Sequence, residues 1–463
     1  MKKAVMIALA FVGAVVGAGF ASGQEMLQYY LAHGPWGFAA VAIAAVAMVA
    51  VSYTTFQLSS YEQASAHSIV FDAITHPILS KIVDIFIIIT LFSVGFVMLA
   101  GAGANLYQQF GLPTWIGSLI MAVLVAVLGL LDVDKLTAVI GGITPFIIIT
   151  IVIAAVYSAL HPAGTMDELF ATAAQIEPAV GNWALSAVNY VALAFAMAVS
   201  IMVVMGGAIT DPKSAGRGGF LGGLLFGLLL LIAAGALFLQ LPVVVNAPMP
   251  MLALVTSIHP AFGLVMAFVI YGMIFNTAIS LYYAIAKRVE AVKPAWFKPT
   301  LFGTVAIGFA LSFLDFQALV NKLYPAIGYM GIVMTILIIW GWWKARHQIK
   351  IETERRNRIR RLLNRRWRSN KRYTERHHRK LIEYVKRSNV EDVALLRAIG
   401  QETVTDIAED PDANLDPVLA ERYQLDEEQP EIPEFEDGSI ENFEHPSAYV
   451  DENDEMIEPE EKR

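Results

Sequence analysis

Gly13-Ala14-Val15-Val16-Gly17-Ala18-Gly19-Phe20-Ala21-Ser22-Gly23-Gln24-Glu25 sits inside an apolar run that begins at Ala4, yet it is too rich in glycine and polar side chains for an ordinary lipid-facing helix. Each glycine weakens a helix by about 1 kcal/mol relative to alanine. Ser22-Gly23-Gln24-Glu25 also fits the pattern in which a serine caps a new helix and a glutamate three residues on reaches back to the serine N–H. The run therefore predicts a span that breaks and restarts near Ser22. Broken backbone does not persist against lipid, because an unsatisfied N–H or C=O there is too costly. The break is expected to line an enclosed or watery cavity, which makes it the candidate binding site.

The chemistry follows from the break. The outer half-helix presents free N–H groups and a partial positive charge suited to a carboxylate; the inner half ends in free carbonyls suited to a cation or ammonium. A zwitterion suits both ends. Glu25 is the one carboxylate deep in this region, and ionisable groups within a membrane are costly enough to suggest function. It can pair with a substrate ammonium or carry a coupling proton. The plainer reading is that it completes the cap near the outer interface.

Working outward, the composition is that of a lipid-embedded chain: 463 residues, 56% hydrophobic and only 16% charged, with a mean hydropathy of +0.55. Crossing a bilayer core of about 30 Å takes roughly 20 apolar residues per helix. Ten such stretches are read at 4–31, 38–60, 82–109, 114–131 and 136–160, then 183–210, 217–240, 260–288, 300–314 and 320–343. Lys2-Lys3 before the first stretch resembles the start of a signal peptide, but the stretch is too long and leads into further spans. There is no cysteine, so disulfides, thiolate nucleophiles, iron–sulfur clusters and Cys-ligated zinc are excluded.

Charge sets the orientation. With the N-terminus cytoplasmic, the inner segments hold Lys2, Lys3, Lys81, Lys135, Lys213, Arg217, Lys287, Arg288, Lys293 and Lys298, and the outer loops only Lys322. An even number of spans puts the C-terminus inside as well, and the plasma membrane is the expected location. The span starts of the first half recur in the second at offsets between 178 and 186. Five spans per copy force the second copy to enter from the opposite side, so the repeats are inverted. Each half also carries a non-spanning segment after its second span, Tyr61 to Ser80 and Leu241 to His259. The expected architecture is an all-α membrane protein of ten transmembrane helices in a five-plus-five inverted repeat, with repeat one at 1–160 and repeat two at 183–343.

By the same offset, the sixth span should break near Ala196 to Ile201. Phe195-Ala196-Met197-Ala198-Val199-Ser200 contains neither glycine nor proline, so the unwinding is either brief or shifted toward Gly206-Gly207. Phe195 and Ser200 are candidate pocket residues, weighed against simple packing. Gly101, Gly103 and Asn105 of the third span either face the pocket or let helices approach closely. In the eighth span Asn276, Thr277 and Ser280 offer oxygens for Na+ or cargo, although hydroxyls also bond backbone in any membrane bundle.

Gly17-Ala18-Gly19-Phe20 resembles the glycine-x-glycine signature in the first helix of the amino acid–polyamine–organocation (APC) transporter superfamily. The longer Gly13-to-Glu25 run resembles uncharacterised YkvI-type membrane proteins of that superfamily. The resemblance covers residues 1–343. It implies a LeuT-type fold and secondary transport of a small amino-acid-like organic solute by alternating access, with Na+ or H+ as coupling cation. It further implies a Na+ site formed by Thr277 and Ser280 with backbone oxygens near Val16 and Gly19. The cargo candidates are then Gly17, Ala18, Gly19, Phe20, Ser22, Glu25, Phe195, Ser200 and Asn276. The sixth span departs from this pattern, since many relatives carry glycine there.

The rest of the chain is polar. Residues 344–400 hold 19 Lys/Arg against 6 Asp/Glu, a net +13, and residues 401–463 hold 3 against 23, a net −20. The basic part is expected to be a juxtamembrane helix lying on anionic headgroups, at about 1 kcal/mol per nearby basic residue. The acidic part is expected to be disordered, and to regulate transport by competing with lipid for the basic helix. No nucleic-acid partner is expected of such a protein. None of the nine histidines lies mid-span, and no zinc spacing, Ser/His/Asp arrangement or phosphate loop emerges. No enzyme activity and no cofactor beyond a coupling Na+ is therefore expected. The competing reading is a non-transporting receptor, sensor or channel-like protein on the same fold.

Overall fold

Long runs of Ala, Leu, Ile, Val and Phe satisfy their backbone groups in lipid by winding into helix. The computed structural model describes residues 2–131, 144–368 and 373–408, and it is built of helices. The first apolar stretch divides into α1 (Lys2–Val15), α2 (Ala18–Ser22) and α3 (Gln24–Tyr29). Then come α4 (Pro35–Glu62), α5 (His67–Ile74), α6 (Pro77–Phe110), α7 (Thr114–Leu128), α8 (Thr144–Leu160) and α9 (Met166–Ala173). The second half holds α10 (Trp183–Gly207), α11 (Pro212–Leu239), α12 (Leu241–Val244), α13 (Pro250–Ile258), α14 (Pro260–Val292), α15 (Phe297–Leu311) and α16 (Phe316–Trp367). Helices α17 (Glu375–Lys386) and α18 (Asp392–Ala408) follow. Six described helices, α4, α6, α10, α11, α14 and α16, are long and apolar enough to cross a membrane, and α1, α7 and α8 contain shorter apolar helices. The expected start of the fifth span at 136 lies outside the described residues.

Sequence punctuation sets these limits. Proline stands in the first turn of α4, α6, α11 and α14, where its missing N–H costs nothing. His76, Asp211 and His259 accept hydrogen bonds from the exposed N–H groups of α6, α11 and α14. Both expected non-spanning segments contain short helices, α5 in one and α12 with α13 in the other.

Small residues decide the packing. Helices α4 and α11 run against each other along their length. A Cβ on Gly219 would come within 2.6 Å of Ser52 O, and Ser52 Oγ donates to Gly219 O at 2.8 Å. Helix α1 lies on α11, with Phe11 against Gly222, and α10 packs between α4 and α16. A second group is formed by α6 with α14 and α7, and α15 joins both α6 and α14. Helix α5 packs on α6 and α10, whereas α13 packs on α2 and α14.

Helix α16 has 52 residues, about 78 Å at 1.5 Å per residue, far beyond the roughly 30 Å of a hydrocarbon core. Its final turns, with α17 and α18, enclose a separate core of Ile359, Leu363, Trp367, Leu381, Val385 and Ile399. The basic segment is therefore not a lone helix: its apolar residues face one another. Helix α18 also continues to Ala408, so residues 401–408 are helical where disorder was expected; 409–463 lie outside the described residues.

This small bundle is fastened to the spanning helices. Arg356, 2% exposed, donates to Ser60 O at 2.7 Å, Thr210 O at 3.1 Å, Tyr61 O at 2.7 Å, Asn389 Oδ1 at 3.0 Å and Glu352 Oε1 at 2.9 Å. Glu402 of α18 accepts from the Thr210 hydroxyl at 2.6 Å and pairs with Arg360. The last carbonyls of α4 and the α10–α11 link are thus capped by the tail.

Candidate functional site: the interrupted first helix

The first helix breaks twice. Helix α1 ends at Val15; Gly17 is extended (φ −91°, ψ −172°) and α2 starts at Ala18. Gly23 then takes the left-handed conformation (φ 80°) and α3 begins at Gln24, a conformation other side chains adopt only with strain. A Cβ there would also stand 3.1 Å from Met251 N of α13. The restart expected near Ser22 therefore comes at Ala18 and again at Gln24. Ser22 Oγ donates to Gly19 O at 2.7 Å and accepts from Gln24 N at 3.2 Å. The expected capping box is absent, because Gly23 occupies the cap position and Glu25 turns elsewhere.

Glu25 accepts a hydrogen bond from the Tyr190 hydroxyl of α10 at 3.0 Å. The plain capping reading of Glu25 is thereby corrected: the carboxylate bridges two helices in the interior. Its Oε1 lies over Gly19 so closely that a Cβ on Gly19 would overlap it. Every residue from Gly19 to Leu31 is buried. Phe20 packs against Phe226 of α11, with ring centroids 5.6 Å apart.

On the other side of the break, Val16 is buried, while Gly17 and Thr277 of α14 face each other and stay half-buried. The Thr277 hydroxyl lies 3.6 Å from the Cβ position of Gly17 and donates to Met273 O at 3.0 Å. Helix α2 packs on α14, whereas α1 packs on α11 and α10. The break is therefore half-buried at Gly17 and fully covered from Gly19 through α3. Asn276 is half-buried, and Ser280, one turn beyond Thr277, is exposed.

The sixth-span expectation needs correction. Helix α10 is continuous from Trp183 to Gly207, and Gly206 and Gly207 serve close packing instead: a Cβ on Gly206 would stand 2.9 Å from Ser59 Cβ and 3.0 Å from Phe56 O, and one on Gly207 would overlap the Ala64 backbone. Phe195 is fully buried in the core. Gly101 and Gly103 likewise make room for Phe316 and Thr114, and Asn105 donates to Ala267 O at 3.1 Å.

No family model matches. The chain is 26% identical over 331 residues to the uncharacterized membrane protein YkvI of Bacillus subtilis (strain 168), covering 71% of this chain and 93% of that protein. Mhp1 in its inward-facing conformation superimposes with a TM-score of 0.55 at 14% identity, covering 74% of this chain and 77% of that one. MhsT in complex with L-phenylalanine superimposes with a TM-score of 0.50 at 13% identity, covering 86% of this chain and 95% of that one. The fold is LeuT-type. The protein is accordingly a multi-pass membrane protein, and the interrupted helix opens its LeuT-type architecture.

Residues missed in the sequence complete the picture. Tyr29, the last residue of α3, and Tyr30 just after it each place a ring 5.3 Å from that of Tyr190, and Tyr324 of α16 is fully buried nearby, within electrostatic reach of Glu25. Only Tyr29, one turn after Glu25, carries a local signal. Ser200 also has an unforeseen place: its hydroxyl lies 3.0 Å from Nδ1 of His67 on α5, whose Nε2 is 3.0 Å from Asp84 Oδ1 on α6. Arg288 of α14 donates to the same Asp84 oxygen at 2.8 Å and lies against the His67 ring. This network ties four helices together on the α5 side, away from Glu25.

A pH dependence follows. Burial pushes the His67 imidazole below its ordinary 6.5, with Arg288 acting the same way against the Asp84 hydrogen bond. On acidification the unfolded chain therefore takes up this proton before the folded one, so the contribution of His67 to stability is present at neutral pH and lost as the pH falls below about 6.5. Thermal unfolding between pH 8 and 5 should show a steeper acid loss for the wild type than for His67→Gln; parallel curves would refute this account of the network.

Proposed function

We propose that this protein is a secondary transporter that moves a small, amino-acid-like organic solute across the plasma membrane by alternating access, coupled to Na+ or H+. The observation that carries the reading is the doubly broken first helix, held in a LeuT-type bundle and carrying a buried carboxylate. Such a break is tolerated only where it lines protein or a watery cavity, and it offers both backbone poles to cargo. Ten spans in a five-plus-five inverted repeat over residues 1–343, with both termini cytoplasmic, complete the proposal. The matched pairings of α4 with α11 and of α6 with α14 support it, as do the contacts of α5 and of α13 with helices of both halves. In this reading Gly17, Ala18, Gly19, Phe20, Ser22, Glu25 and Asn276 surround the cargo, and Thr277 and Ser280 with backbone oxygens at Val16 and Gly19 form the candidate Na+ site.

Gradient-driven uptake by purified protein in liposomes tests this. Saturable accumulation above the equilibrium level, collapsing when the Na+ and H+ gradients are dissipated, is the expected result. Binding of solutes without accumulation under any gradient would instead establish a sensor.

A further inference from the structure

Among the described residues, Glu25 is a buried acid with no cationic partner. Tyr190 is its one hydrogen-bond donor among the described residues, and no described lysine or arginine forms an ion pair with it. A buried carboxylate without a cation is strongly unfavourable. The groups around it are also left incomplete: the hydroxyls of Tyr29, Tyr30 and Tyr324 are buried without hydrogen-bond partners among the described residues, their residues are 0% exposed, and each lies within electrostatic reach of the carboxylate. Helices α3, α10 and α16 supply Tyr29, Tyr190 and Tyr324, and Tyr30 follows directly on α3.

We propose that Glu25 and the four tyrosines Tyr29, Tyr30, Tyr190 and Tyr324 form the seat of a protonated amine, so that the cargo is recognised by its ammonium group and needs no carboxylate. The inference rests on the transporter reading and narrows its substrate class to amines, amino acids included. An ammonium brings three N–H donors to one carboxylate and a set of phenolic oxygens with free lone pairs, and aromatic ring faces attract it as well. A hard metal ion is a poorer match, since such ions collect carboxylate, carbonyl and water oxygens, and no group of three His, Cys, Asp or Glu residues able to hold a metal occurs among the described residues. Placement is consistent with cargo entering through the break: Glu25 lies over Gly19, the turn next to the half-buried Gly17.

The test uses the full-length protein in nanodiscs and two matched sets of probes: n-butylamine, norvaline and valerate, then phenethylamine, phenylalanine and 3-phenylpropionate. Thermal shift and calorimetry should show binding by the amine and the amino acid of at least one set and none by either acid. Glu25→Gln should weaken amine binding by about tenfold or more while the cargo-free variant melts at the same or a higher temperature than the wild type, because the unpaired charge is gone; a merely structural Glu25 would give a lower one. Tyr324→Phe should weaken amines with little change in melting temperature. Three results overturn the proposal: acids that bind as well as amines, no amine binding at all, or Glu25→Gln retaining amine affinity while losing only a proton dependence. None of these touches the transporter reading, which fails separately if bound solutes are never accumulated.

Discussion

Gly19→Ala is expected to cut uptake by roughly a hundredfold, the scale of loss that follows a misplacement of about 1 Å in a binding constellation. A methyl group at this position overlaps Oε1 of Glu25, so the carboxylate must swing off the Tyr190 hydroxyl that now holds it at 3.0 Å. The helix itself does not suffer: position 19 lies inside α2, where alanine is the better helix former by about 1 kcal/mol. Loss of transport with an unchanged or raised melting temperature is thus the expected signature, and it separates displacement of Glu25 from misfolding. Gly19→Leu should abolish uptake altogether. Wild-type uptake by Gly19→Ala would mean that the Glu25–Gly19 contact has no part in carrying cargo.

Arg356→Ala should release the tail bundle from the spanning helices. The substitution removes five hydrogen bonds and leaves Glu352, itself 2% exposed, as a buried acid with one partner fewer. Breaking a buried pair of this kind costs about 3–5 kcal/mol. Amide exchange across α17 and α18 should quicken by about a hundredfold or more, with the melting of α4, α10 and α11 far less affected. Arg356→Lys keeps the charge but not the planar five-donor fork, so it should recover only part of the protection. Unchanged exchange in Arg356→Ala would show that the arginine does not hold the bundle.

Much of the fold was legible because hydropathy and helical length are coupled by the bilayer: the long apolar stretches fall on helices, and the two non-spanning segments appeared from their spacing alone. The broken first helix was legible for a related reason, since Gly17, Gly19 and Gly23 cost too much in an uninterrupted span. Its fine structure was not. Ser22 and Glu25 satisfy the local pattern of a cap, and what overrides it is Tyr190, 165 residues away, for which no local signal exists. The sixth span misled through symmetry: an offset carries the position of a break but not the backbone chemistry, and Gly206-Gly207 proved to be contact points for Phe56 and Ala64. In the tail, a pattern such as Ile359, Leu363 and Trp367 is the same whether an amphipathic helix faces lipid or a neighbouring helix, and only α17 and α18 distinguish the two.

The absence of cysteine from the chain permits one direct measurement on the interrupted helix. Thr277→Cys places a single thiol opposite Gly17, at a half-buried position beside the break. A small polar thiol reagent should label it in membranes, and a saturating concentration of any solute that the protein accumulates should slow that labelling by about tenfold or more, as expected for an occupied site. Labelling that proceeds at the same rate with and without a transported solute would contradict the placement of the cargo at the break.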